Sequence, residues 1–152
     1  MDYEQADRLN HAIRVIGIKH RARAGALLAQ LGLHPGQEVI LQQLDAHGPR
    51  TQAHLAAGAG CEPSSVTLMV QKLEAAGLIS RHPSPDDGRA IVVDLTDRGR
   101  ALMPNLKQLW QRLAEQSVAG LTSTSVAQLL GALSDLAQSL QRPAAEGSPT
   151  RG

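Results

Sequence analysis

The chain has 152 residues and is 42% hydrophobic, enough for one domain with a core, or one domain plus an association element. Its formal net charge of +1 argues against strong non-specific binding to polyanions, and its single cysteine excludes an intramolecular disulfide or a Cys-rich metal cluster. No apolar run approaches the ~18–20 residues of a membrane span. With no Phe, one Trp and one Tyr, the core has to be built from Leu, Val, Ile and Ala, which suits closely packed helices. The opening Met1-Asp2-Tyr3-Glu4-Gln5 is acidic and polar, unlike a signal peptide, so the expected location is the cytoplasm.

Residues 4–31 read as a long first helix, with Leu9, Ile13, Ile16, Ala24, Leu27, Leu28 and Leu31 spaced for an apolar stripe. Lys19, His20, Arg21 and Arg23 form a basic segment within it, read as a solvated face or as a ligand or phosphate contact. After a loop at Gly32-Leu33-His34-Pro35-Gly36, a second helix is expected from Gln37 to His47, stopped by Gly48-Pro49. Thr51 is placed to cap a short third helix that buries Leu55 and Ala56. Gly58 and Gly60 are expected to supply the positive-φ geometry that reverses the chain. Pro63 suits the first turn of a fourth helix, where Val66, Met69, Val70 and Leu73 define a buried face and Gly77 a stop.

The period then changes. Ile91, Val93 and Leu95 alternate with Ala90, Val92 and Asp94, which predicts a two-stranded ribbon beginning near Leu78-Ile79 with a polar tip. Thr96-Asp97 caps a long helix whose Leu102, Leu106, Leu109 and Leu113 follow a coiled-coil-like spacing, interrupted by Pro104, which should bend it. The helix is expected to end near Gly120. Thr122 or Ser123 would cap a last helix carrying Val126, Leu129, Leu130, Leu133, Leu136 and Leu140. The tail over 142–152 reads as disordered.

Short helix, tight turn, second helix and ribbon make a mainly α fold with a small β-wing, a helix-turn-helix suited to duplex DNA. Ser64, Ser65, Thr67 and Gln71 are short donors and acceptors able to approach base edges, and Lys72 a phosphate. Thr51, Gln52 and Arg81 join them as candidate contacts. Arg89, just beyond Gly88 at the ribbon tip, is a candidate for the minor groove or for a structural partner of Asp86 or Asp87, two compatible roles, with Asp87 orienting the wing.

Asp87-Gly88-Arg89-Ala90-Ile91-Val92-Val93-Asp94-Leu95-Thr96 resembles the wing signature of the MarR (multiple antibiotic resistance regulator) family. Ser65-Val66-Thr67, followed by Leu73-Glu74-Ala75-Ala76-Gly77-Leu78-Ile79, resembles that family's recognition helix and its exit. Many members carry a basic residue near Leu68, where this chain is apolar. The resemblance extends over roughly residues 5–140. It implies a dimeric, ligand-responsive repressor without catalytic activity, its winged domain at 37–96 and its dimerisation helices at 1–31 and 97–141. Two recognition helices about 34–36 Å apart would read a pseudo-palindromic operator.

The resemblance also implies a small-molecule pocket between the dimerisation helices and the winged domain. His11, Arg14, His20, His34 and Trp110 are its candidates, with Arg14 pairing a carboxylate, as of an aromatic acid. No ligand spacing marks a metal site or a cofactor among these histidines. Cys61, in the turn before the fourth helix, reads as a small filler or as a redox-sensitive thiol. Competing readings are a redox- or metal-responsive regulator of the same fold and a winged protein-interaction module that does not bind DNA. A small enzyme finds no nucleophile elbow, phosphate loop or zinc motif in its support.

Overall fold

The computed structural model describes residues 1–142, so the expected tail falls outside them apart from its first residue. In chain order the elements are α1 (Tyr3–Ala29), α2 (Gln37–His47), β1 (Arg50–Thr51), α3 (Gln52–Ala59), α4 (Pro63–Ala75), β2 (Ile79–Pro83), β3 (Ile91–Leu95), α5 (Asp97–Val118) and α6 (Val126–Gln141). Met1–Ala114 forms one compact unit, and a second begins at Glu115.

The core of the first unit is aliphatic, as a chain without Phe requires. Leu28 of α1, Ile40, Leu41 and Leu44 of α2, Leu55 of α3, and Val66, Val70 and Leu73 of α4 are buried together with Val93 and Leu95 of β3 and with Met103, Leu106 and Leu109 of α5. Leu27, Leu31, Met69, Leu102 and Trp110 are partly buried against this cluster. Lys107 of α5 reaches Asp45 of α2 across 2.7 Å.

Three local features depart from the sequence reading. The ribbon is the larger part of a three-stranded antiparallel sheet of order β1-β3-β2, because Arg50 and Thr51 pair with Val93 and Val92. Gly58 stays helical, and Gly60, at φ 61°, alone makes the reversal after α3. The cap of α6 is Ser125, not Thr122 or Ser123: its hydroxyl accepts from the Gln128 backbone N–H, while the Gln128 side chain accepts from the Ser125 backbone. That reciprocal pair satisfies two orphan donors, where the earlier residues would satisfy fewer.

α1 opens with the same device, Asp2 accepting from the Gln5 N–H at 2.8 Å. Its C-terminal part buries Ala24 and Leu28, whereas Leu9, Ile16 and Ile18 nearer the N-terminus are exposed. α6, taken by itself, has no buried residue and exposes Val126, Leu130, Leu133 and Leu140. With Ala137 these follow alternating four- and three-residue steps, the spacing of a helix-pairing seam.

Candidate nucleic-acid interface

The turn between α3 and α4 is fixed by local chemistry. Thr51 is the N-cap of α3: its hydroxyl oxygen accepts from the His54 N–H (3.3 Å) and lies 2.9 Å from His54 Nδ1. Gln52 Nε2 donates to Thr67 Oγ1 (3.3 Å), and the Thr67 hydroxyl donates to the Pro63 carbonyl one turn back (3.0 Å). Back-bonding of this kind is the usual competitor for a helical Thr hydroxyl. Thr51, Gln52 and Thr67, all expected among the DNA contacts, therefore have polar atoms engaged in capping α3 and joining it to α4. Their polar chemistry was legible in the sequence. A partner fifteen residues away, as Gln52 is to Thr67, was not.

α4 presents two contrasting sides. Val66, Val70 and Leu73 are buried, while Ser64, Ser65, Leu68, Gln71 and Lys72 are exposed. At 3.6 residues per turn the exposed set forms one continuous arc, with Leu68 near its middle, opposite the buried side. Pro63 stands in the first turn, and the α4 N-cap, Glu62, makes no side-chain capping bond.

β2 runs beside this helix and is tied to it, and β3 pairs with β2. Arg81 of β2 grips Glu74 of α4, Nε donating to Oε2 at 2.8 Å and Nη2 lying 2.7 Å from the same oxygen. The Arg81 charge is thus met within the protein, and the residue positions the hairpin against the helix.

At the hairpin tip, Ser84 Oγ accepts from the backbone N–H groups of Asp86 and Asp87 (3.3 Å each). Asp87 Oδ1 accepts from the Arg89 N–H at 3.0 Å, and the Asp87 carbonyl accepts from Ala90. Asp87 holds the turn while the Arg89 residue is exposed. Glycine is required at the exit of α4, where Gly77 adopts φ 73° and its carbonyl accepts from the Thr96 hydroxyl at 2.7 Å.

The charges around α4 and the hairpin are only partly paired. Glu74 is paired with Arg81, and Asp94 and Asp97 are paired with Arg100 at 3.1 and 3.7 Å. Lys72, Arg89 and Arg98 take part in no ion pair among the described residues, and neither do the exposed carboxylates Asp86 and Asp87 at the hairpin tip. Two of these three unpaired cations lie on the exposed α4 arc and at the hairpin tip.

The candidate ligand residues are not gathered into one site. Arg14 Nη2 lies 3.1 Å from His11 Nδ1, and both line an open cleft of about 370 Å³ on α1 with Asp7 and Asn10. His20 lies nine residues beyond His11, about 13 Å along the helix. His34 lines a different cleft with Gln37 and Lys72, and Trp110 packs on the core. No group of three or more His, Cys, Asp or Glu suited to a metal ion occurs among the described residues. Cys61 is exposed, its Sγ 3.4 Å from the Ala59 carbonyl.

Residues 33–91 match the sequence model of the MarR family. The HTH-type transcriptional repressor Rv2887 of Mycobacterium tuberculosis is 30% identical over 115 residues, 76% of this chain and 83% of that protein. Among solved structures, a mutant MarR (C80S) from E. coli complexed with operator DNA superposes with TM-score 0.77 at 22% identity, covering 93% of this chain and all of that one. Bordetella bronchiseptica BpsR, solved to explain regulation of its DNA binding by 6-hydroxynicotinic acid, gives TM-score 0.75 at 21% identity over 88% of this chain and 98% of that one. At those identities the two structural likenesses are likenesses of fold.

Proposed function

The chain belongs to the MarR family, whose members are non-enzymatic DNA-binding transcription regulators, and on that premise we propose that it represses transcription as a homodimer on a pseudo-palindromic operator. The observation that carries this reading is the exposed arc of Ser64, Ser65, Gln71 and Lys72, with a hairpin tipped by Arg89 tethered beside it. The arc lies in the major groove and Arg89 in the adjoining minor groove. Ser64, Ser65 and Gln71 meet base edges, and Lys72 a phosphate. Thr51, Gln52, Thr67 and Arg81 set the pose of the helix and the hairpin and are the further candidates for DNA contact beside them.

Dimerisation is supported by apolar side chains left exposed on α1 and on α6, each considered separately, since contiguous apolar exposure marks an association surface. The winged domain at 37–96 reads DNA, and the helices at 1–31 and 97–141 pair the two copies.

A small aromatic acid releases the operator by binding the conformation whose recognition helices are misplaced. The extent of release is limited by its differential affinity for the two states. Arg14, beside His11, is the cation assigned to its carboxylate, with His20, His34 and Trp110 as further candidates for the pocket wall. The setting is the cytoplasm; among the described residues no helix is long and apolar enough to cross a membrane.

The test is an anisotropy titration of the full chain against the DNA upstream of its own gene, repeated with a competitor of unrelated sequence. Specific binding that weakens as an aromatic acid is added is the expected result. Binding no tighter than to the competitor would refute it.

A further inference from the structure

Leu68 stands where a base reader stands but has no polar atom to read with. It is 53% exposed and sits mid-arc on α4, one turn from Ser64 and one turn from Gln71. Its buried neighbours Val66, Val70 and Leu73 point the other way, so the core does not account for an apolar residue here.

Resting on the DNA-binding reading above, we infer that Leu68 selects thymine by packing on its C5-methyl group in the major groove of each half-site. The choice of base follows from elimination. Thymine alone presents a methyl group on its major-groove edge, beside its O4; guanine, adenine and cytosine present N7, O6, or amino groups there and no methyl. A leucine pressed on those polar atoms removes their water and returns no hydrogen bond, which is unfavourable. Against a methyl group the same side chain loses exposed apolar surface and gains contact. Leu68 therefore attracts one base and repels the others, both halves of what specificity needs. Ser64 and Gln71, on either side along the helix, supply the hydrogen bonds that fix the register.

The same position explains how a chain of net charge +1 can be selective with few cations at its interface. Lys72 and Arg89 supply position through phosphate and groove. Leu68 supplies discrimination that does not depend on salt.

The experiment uses the full-length protein and duplexes selected by it from a random pool. Each thymine of the selected site is replaced singly by deoxyuridine, which removes one methyl group and leaves the pairing and the other groove atoms intact. Wild type should lose affinity about fourfold for one thymine per half-site, the effect of one buried methyl group. Leu68→Ala should bind with no loss at that thymine while keeping its responses at other positions. Because Leu68 is exposed, the variant's thermal unfolding should match wild type. If wild type tolerates uracil at every thymine, or if Leu68→Ala shows the same uracil penalty, the inference is overturned while the regulator reading stands. If no duplex is selected at all, the regulator reading fails and takes this inference with it.

Discussion

Thr96 joins three elements, and its loss can be assigned a size. Its hydroxyl donates to the Gly77 carbonyl at the exit of α4 (2.7 Å) and accepts from the Gly99 N–H in the first turn of α5 (3.0 Å). Its backbone N–H donates to the Leu78 carbonyl at 3.1 Å. Thr96→Val keeps the branched shape and removes both hydroxyl bonds. The lost cap costs ~1 kcal/mol. The lost bond to the half-buried Gly77 carbonyl costs about another 1 kcal/mol. The sum, about 2 kcal/mol, should lower Tm by about 4–8 °C for a chain of this length. Thr96→Ser retains both bonds and should stay within about 0.5 kcal/mol of wild type. Urea unfolding followed by circular dichroism, at one fixed protein concentration because association adds to apparent stability, measures both. If the valine variant matches wild type, or the serine variant falls as far as the valine one, Thr96 does not hold helix exit, strand and helix start together.

Lys72→Ala should weaken binding to all duplexes alike and reduce the slope of log affinity against log salt by about one per protomer; an unchanged slope removes Lys72 from the phosphate contacts. Arg89→Ala should reduce operator affinity by roughly 1–3 kcal/mol while sedimentation gives the same oligomer as wild type. Full affinity in that variant would return Arg89 to the solvent. Leu130→Glu with Leu133→Glu places two charges on the exposed stripe of α6 and should convert a dimer to monomers in analytical ultracentrifugation without loss of helicity, since glutamate is a good helix former.

Local signals carried much of the fold. The bounds of α2 followed from Gly36 and Gly48, both at positive φ, and the buried side of α4 from Val66, Val70 and Leu73 at helical spacing. What the sequence hid was pairing at a distance. Arg50 and Thr51 are too short a strand to show a period, and become one only because Val92 and Val93 lie alongside. Gly58 and Gly60 offer the same backbone freedom, and nothing local says which one turns. Of the expected DNA contacts, Ser64, Ser65, Gln71, Lys72 and Arg89 are exposed, while Thr67 and Arg81 found partners on neighbouring elements that no local pattern announced. The α6 cap, by contrast, was legible: Ser125 and Gln128 have the spacing of a reciprocal cap, and the three hydroxyl residues before them obscured it.

Hydroxyl-radical footprinting of the operator with wild type and Arg89→Ala tests the exposed arc and the hairpin together. The pattern expected is two protected patches on one face of the duplex about one helical turn apart, flanked by minor-groove protections that vanish in Arg89→Ala. A footprint without that spacing, or flanking protections that survive the substitution, would contradict the placement of the α4 arc and the Arg89 hairpin on DNA.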